Sequence, residues 1–435
     1  MRSFNSLSER EILALAILAE EEDGRIYGDF VESLRESYPD TADVFRKMQE
    51  EEADHRRRLA DRYREKFGEH LPLIRRHDVK GFAKRRPLWL VKPLGPKAAR
   101  KFADNLGIER STGDYHDLLA DGEISAVHIC TPNALHFPMA QAALQAGKHV
   151  LCEKPLASTI AEAETMTALA NQKGLAHCTL YNVRAYPQVQ NIRRMCETGE
   201  LGEVQVVQGT YSQDWLLYDT DWNWRIESGP SRTFADIGTH WCDLAEHITG
   251  RRITSLCADL KTFHTTRKKP RGSVETFAGK TLRPSEYEEV KVTTEDFGAM
   301  IFSMNESTKG SLTVSQISVG RKNRLFIEVF GSKASAAWDA ERPDELWIGH
   351  RNSPNEILIK DPSLLREGAQ SYADLPGGHS EGYDDTFKQI FRRFYRRVAD
   401  GNAPIEYPTF EDGIRQLRVL DAVVESSQKR AWVQV

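Results

Sequence analysis

The stretch that decides the fold runs from Ser125 to Ala157: SAVHICTPNALHFPMAQAALQAGKHVLCEKPLA. It opens on a short apolar run, SAVHIC, and closes on a second, HVLCE. Between them HFPMAQAALQAG has the composition of a helix stopped by Gly147. Strands joined by a helix imply a parallel sheet. In such sheets ligands gather at the carboxyl ends of the strands. Glu153–Lys154 stands at one of those ends. A lysine there, at the exit of a buried strand, raises the question of what it does.

The rest of the chain gives the setting. Its 435 residues are enough for two or three domains. The net charge of -5 argues against a nucleic-acid binder held by bulk charge. The six cysteines, at 130, 152, 178, 196, 242 and 257, form no C-x-x-C pair, so a zinc ribbon or disulfide scaffold is not indicated. Reduced thiols in a cytoplasmic protein are expected. The apolar run from Ile12 to Ala19 is too short to span a membrane and lacks the basic start of a signal peptide.

Residues 1 to about 70 read as two helices. Ser8 and Glu11 form a capping box for the first. Tyr38–Thr41 is read as a turn before the second, which carries Val44, Phe45, Met48, Leu59 and Tyr63. A stretch from 69 to 97 is irregular and basic, with LWLV (88–91) as a short strand candidate. PKAARKFADNLG (96–107) reads as a helix. From about 175, VQVVQGTYS, GAMIFSM, GSLTVSQISV, RLFIEVFG and SAAWDA read as strands of a largely antiparallel sheet. A last helix is expected from Phe410 to Lys429.

Several ordered motifs carry a resemblance. HICTPNALH is followed by GKHVLCEKPLA, YNVRAYPQV, GELGEV, DIGTHWCDL and GGHSEGY. Over residues 96–435 the chain resembles the Gfo/Idh/MocA family of NAD(P)-dependent oxidoreductases. The resemblance implies an α/β protein: a Rossmann domain (96–160, partial here) and a C-terminal α/β domain (161–435) with an open, largely antiparallel sheet. It implies hydride transfer between NAD or NADP and a sugar- or polyol-like hydroxyl. Carried over to this sequence, the catalytic set is Lys154, Asp236 and His240. His240 is the acid/base, Lys154 the proton and oxyanion partner, and Asp236 the orienter. Four residues apart on a helix, Asp236 and His240 share a face. Thr131, Pro132, Asn133, His136, Glu153 and Lys154 are the expected cofactor contacts. Arg184, Tyr186, Trp222 and His379 are the substrate-side candidates, with Trp215 and Trp224 beside them. In SGPSRTFADIG (228–238), Ser231 and Arg232 replace a glycine-rich run of the family, which is expected to narrow the pocket or alter substrate choice.

No G-x-G-x-x-G occurs anywhere in the chain. Such glycines let backbone amides approach a pyrophosphate, so cofactor binding is expected to be weakened. In their place, residues 1–95 hold LALAILAEEEDGRIYGDF and MQEEEADHRRRL, which look like the first two helices of a rubrerythrin or ferritin-like domain. One Glu on one helix and Glu-x-x-His on the next is half of a di-iron carboxylate site. Glu20, with Tyr27 near it, and Glu52 and His55 are its candidate ligands, complete only if the hairpin dimerises. Without the usual first strand, SAVHIC is left as a sheet edge to be covered by LWLV or a second subunit. A homo-oligomer is therefore expected. The competing readings are a catalytically silent ligand-binding remnant and a dimeric iron-binding protein.

Overall fold

Strand and helix alternate through the deciding stretch as its pattern requires. The computed structural model describes residues 2–3, 7–17, 39–68, 70, 72, 79–80, 100, 103, 108–227, 229–271, 285 and 287–435. LWLV, nearly all of PKAARKFADNLG, Glu20 and Tyr27 lie outside them. Contacts divide the chain into two units, Met1–Leu88 and Trp89–Val435.

The first unit is helical. Helix α1 (9–17) is opened by the expected box: Glu11 accepts from Ser8 N at 2.9 Å and donates its own N–H to Ser8 Oγ at 3.3 Å. Helix α2 (Pro39–Phe67) starts at the proline itself, a residue suited to a helix's first position. Leu7, Ala14, Leu15, Ile17 and Tyr63 form a small core between them. Strands β1 (Arg2–Ser3) and β2 (Val79–Lys80) pair in parallel.

In the second unit, after a short helix α3 (Tyr115–Ala120), strands β3 (Ala126–Ile129), β4 (His149–Cys152) and β5 (His177–Thr179) form a parallel sheet in that order. Helices α4 (His136–Gln145) and α5 (Ile160–Gln172) are its crossovers. Side chains along β4 alternate between two cores. Val150 and Cys152 meet Ala140, Leu144 and Met166, while Leu151 faces the opposite core with Cys178, Ile390 and Phe394. A parallel sheet covered on both faces behaves this way. Among the described residues strand β3 is the outer strand of this sheet, and its two faces are covered. His128 stacks on Tyr395 and meets Phe391 edge-on, both from helix α8 (Tyr383–Ala399), and Val127 and Ile129 belong to the α4 side.

Helix α6 (Pro187–Glu197) leads into a nine-stranded sheet built from β6 (Val204–Ser212), β7 (Ile253–Lys261), β10 (Phe297–Met304), β11 (Thr308–Ser315), β12 (Arg324–Gly331), β13 (Ser335–Asp339), β14 (Glu345–Gly349), β15 (Glu356–Ile359) and β16 (Val433–Gln434). Its order is β15-β14-β13-β12-β6-β11-β10-β7-β16, and β8 (Thr266–Pro270) and β9 (Tyr287–Lys291) pair separately. Every ladder of the large sheet is antiparallel except β6 with β11. One face packs on α6, α7 (Thr239–Thr249) and α9 (Phe410–Lys429), with Trp241, Phe302 and Trp338 fully buried. Helix α9 joins both sheets. Phe410 and Leu417 enter the core of the parallel sheet, and Val419, Leu420 and Val423 that of the large one. At Gly413 a Cβ would lie 2.6 Å from Thr179 Oγ1 and 2.8 Å from Leu156 Cβ, so the glycine lets α9 approach the segment after Lys154.

Candidate active site

Strand β4 delivers Glu153 and Lys154 at its carboxyl end, before a cis Lys154–Pro155 bond. The Lys154 ammonium reaches across to the second half of the unit. It donates to the carboxylate of Asp236 at 2.8 Å and to the Asp236 carbonyl at 2.5 Å. Asp236 is held from two further sides, by Arg225 Nε at 3.3 Å and Gln316 Nε2 at 2.9 Å. Burial alone would raise the Asp236 carboxyl, but the Lys154 and Arg225 cations outweigh it and hold it well below the usual carboxylate range.

Asp236 and His240 do not share one regular helix. Phe234–Gly238 is a π-helical turn, and α7 begins only at Thr239. Such turns recur at functional sites. His240 is nevertheless within electrostatic reach of both Asp236 and Lys154. Burial, and then the Lys154 ammonium, push its imidazole well below the ordinary histidine range, so the ring is neutral. Its walls are Tyr181, edge-on at 5.5 Å, and Tyr211 at 6.5 Å. Its Nδ1 is buried with no hydrogen-bond partner among the described residues.

The other groups singled out from the sequence fall in different places. Thr131 Oγ1, past the end of β3, is buried and unpartnered among the described residues. Pro132 and Asn133 open the 3-10 turn that follows it. Glu153 is raised above the usual carboxylate range by burial, against the pull of Lys154. The His136 ring is fully buried, with Nδ1 2.7 Å from the Pro155 carbonyl and Nε2 2.9 Å from that of Thr131. It braces the two strand-end loops against each other and offers no ring nitrogen to a cofactor. Tyr186 is buried, with its ring 4.9 Å from that of Trp338.

Arg184 is a packing cation. It forks onto Asp243 and donates to Asp412 at 2.9 Å. It lines a cleft of about 220 Å³ with Gln190, His247, Tyr407 and Asp412, and none of Lys154, Asp236 and His240 lines that cleft. Trp222 packs on a satellite cluster of Leu216, Ile226 and Val292. His379 is exposed, its ring near only the Gly377 carbonyl at 3.4 Å. Ser231 and Arg232 are both buried and turned onto Glu295 and Asp296.

For the iron reading, Glu20 and the Glu52 side chain lie outside the described residues, and His55 is half-buried on α2. Among the described residues no group of three or more His, Cys, Asp or Glu is placed to hold a metal ion. No described helix is long and apolar enough to cross a membrane.

Three site residues escaped the sequence reading. Arg225 was hidden behind the tryptophans that flank it. Gln316 looked like a strand end. Tyr383 lies in the quoted GGHSEGY motif, where His379 drew attention instead. Its hydroxyl is raised by burial and by the charges of Glu153 and Asp236, which places it beside the cluster.

Comparison with known proteins agrees with this geometry. The family described as "Oxidoreductase family, NAD-binding Rossmann fold" matches residues 87–181, the Gfo/Idh/MocA C-terminal domain matches 189–337, and rubrerythrin matches 11–109. The first match reaches back into the basic stretch, nine residues before the start expected at 96. The levoglucosan dehydrogenase of Pseudarthrobacter phenanthrenivorans is 29% identical, over 80% of this chain and 89% of its own. An oxidoreductase domain protein from Kribbella flavida has a crystal structure that is 32% identical, covering 78% of this chain and 88% of that one, with a TM-score of 0.70. A levoglucosan dehydrogenase in complex with NADH and levoglucosan is 28% identical over the same shares, at a TM-score of 0.69. The chain therefore belongs to the Gfo/Idh/MocA family of NAD(P)-dependent oxidoreductases, with a rubrerythrin-like segment in front.

Proposed function

We propose that the chain moves a hydride between NAD or NADP and a CH–OH group of a sugar- or polyol-like molecule. The observation that carries the reading is the Lys154–Asp236 pair set beside a neutral His240 at the carboxyl end of a parallel strand. Two buried polar atoms without partners among the described residues, Thr131 Oγ1 and His240 Nδ1, fit a site made for further hydrogen-bonding groups. Relatives of this fold have been crystallised with NADH, one with levoglucosan and one with myo-inositol.

When bound, the nicotinamide supplies the hydride acceptor. Thr131, Pro132, Asn133 and Glu153 would hold it against the ends of β3 and β4. Loss of hydride from a carbinol carbon requires removal of the hydroxyl proton. Neutral His240 takes that proton. The Lys154 ammonium faces the oxygen as charge grows on it, in a site screened from water, where a fixed cation is most effective. Asp236, kept ionised by Lys154 and Arg225, orients the lysine and accepts a neighbouring substrate hydroxyl.

The test is a fluorescence titration of the purified chain with NADH and NADPH, followed by turnover with levoglucosan, myo-inositol, scyllo-inositol and D-xylose. Saturable binding, with turnover of at least one compound that Lys154→Ala lowers by about a hundredfold or more, supports the reading. Absence of binding at millimolar cofactor overturns it.

A further inference from the structure

We propose that Asp296 is a positioning residue for this reaction: through two buried arginines it fixes, as one piece, the aromatic loop 213–224 and the turn that carries Asp236. The inference rests on the reading of Lys154, Asp236 and His240 given above.

Asp296 precedes β10 and is fully buried, as are Arg232 and Arg267. Its Oδ1 accepts from Arg232 and, at 2.8 Å, from Arg267 Nη2. Its Oδ2 accepts the backbone N–H groups of Phe263 at 2.7 Å and His264 at 2.8 Å. The two arginines point to different parts of the site. The two terminal nitrogens of Arg267 also donate to main-chain carbonyls of the loop: Leu216 at 2.9 Å, Tyr218 at 2.8 Å and Asp221 at 3.2 Å. That loop carries Trp215, Trp222 and Trp224. It ends on Arg225, whose guanidinium lies 4.6 Å from the Trp224 ring and donates to Asp236.

Arg232 belongs to the turn itself, and its carbonyl accepts the N–H of Asp236 at 2.8 Å. The neighbouring Glu295 holds the same turn, accepting from Ser231 Oγ at 2.7 Å and from the N–H groups of Arg232 at 3.0 Å and Phe234 at 2.8 Å. A third connection passes through the main chain. Gln316 donates its N–H to the Asp296 carbonyl at 3.1 Å and its side-chain amide to Asp236. Three routes from one carboxylate-bearing residue thus converge on Asp236.

Charge balance explains why the group is tolerated. Two guanidinium groups are matched by the carboxylates of Glu295 and Asp296. A buried ionic group of this kind is a poor source of stability, because apolar side chains of the same volume would commonly serve as well. It does fix geometry, since arginine's rigid fork meets carbonyls and carboxylates at set angles. The polar residues that stand in the family's glycine-rich run, Ser231 and Arg232, are the ones enlisted.

The experiment uses the full chain with Arg267→Lys and Arg232→Lys, which keep the charge; the first loses the fork between Asp296 and the loop carbonyls, the second the guanidinium nitrogen that reaches Asp296. Steady-state kinetics with NAD+ or NADP+ and with levoglucosan or myo-inositol give KM for each reactant and kcat, beside melting temperature and NADH affinity. Arg267→Lys is expected to raise KM for the polyol by about tenfold or more, with NADH affinity unchanged. Arg232→Lys is expected to lower kcat more than it raises KM, because it displaces Asp236. A fall in melting temperature with both KM and kcat unchanged would assign the arginines to structure alone and overturn the proposal. A wild-type chain that turns over neither compound removes the reaction, and the proposal with it. That outcome is distinguished by its appearance before any substitution is made.

Discussion

Replacing Lys154 with methionine removes the ammonium and keeps the length of the side chain. The structure sets the size of the effect. The side chain is 13% exposed and that of Asp236 14%, so little water screens the pair. Two donated hydrogen bonds are lost, to the carboxylate and to the carbonyl of Asp236. A preorganised donor facing developing charge contributes about 3–4 kcal/mol, or about a hundred- to a thousandfold in kcat. Arg225 stays on the same carboxylate oxygen, so Asp236 keeps one cation and the chain is expected to fold. Lysine 154 also depresses the proton affinity of both Asp236 and His240. Without it both rise. In the native chain His240 loses its proton well below pH 6.5, and the acid limb of kcat/KM should lie there. In Lys154→Met that limb moves to higher pH. The assay is NADH formation followed by absorbance from about pH 5 to pH 9. Activity within about threefold of wild type, or an acid limb that does not move, would refute the reasoning.

Six histidines, His128, His136, His149, His177, His240 and His247, are all depressed, with burial the first cause in each. Each takes a proton more readily in the unfolded chain, near pH 6.5, so stability should fall as pH drops below that value and level off above it. Urea midpoints from pH 8 to pH 5 should show a slope of more than about 1.4 kcal/mol per pH unit, the contribution of one proton. His136→Phe leaves the Thr131 and Pro155 carbonyls without their buried partner, at about 1–3 kcal/mol. It should weaken NADH binding in a titration more than it raises the polyol KM. Gly209→Ala puts a Cβ 2.0 Å from the Phe326 carbonyl and 2.6 Å from Trp241 Nε1. Displacing the sheet or its largest core side chain should cost more than about 3 kcal/mol, read as a lower melting temperature or loss of soluble protein.

Much of this architecture was legible in the residues. Short runs rich in apolar and β-branched residues located β6, β10, β11, β12 and β13, because each keeps side chains in the core. Glycine punctuation located the end of α4. Lys154, Asp236 and His240 could be picked out because the motifs that hold them are local, and the structure brings the lysine and the aspartate into contact. What could not be read were the partners that meet only in space. Nothing near Arg184 in the sequence announces Asp243 or Asp412, 59 and 228 residues away. The partners of Ser231 and Arg232, Glu295 and Asp296, lie more than sixty residues on. His136 keeps its motif position, and its ring faces the Pro155 and Thr131 carbonyls. Burial decided which carbonyls it faces.

The single parallel ladder of the large sheet, Lys309–Ser315 of β11 beside Val206–Ser212 of β6, bears on how such a protein can change its preference. Parallel neighbours cannot be joined by a tight turn, and between these two the chain crosses the same sheet twice more, as β7 and β10. The aromatic loop, Asp236 and His240 lie in the part before β7. Because the pair is parallel, the end of β6 sits beside the end of β11: Gln213 N donates to the Ser315 carbonyl at 2.8 Å, and Leu216 N to the Gln316 carbonyl at 3.2 Å. The loop that leaves β6 is thus pinned at its root to a strand end far along the chain, while residues 214–227 themselves belong to no strand. A library confined to residues 214–227 can vary that loop while the strands on either side keep their register, and is the natural place to look for altered preference.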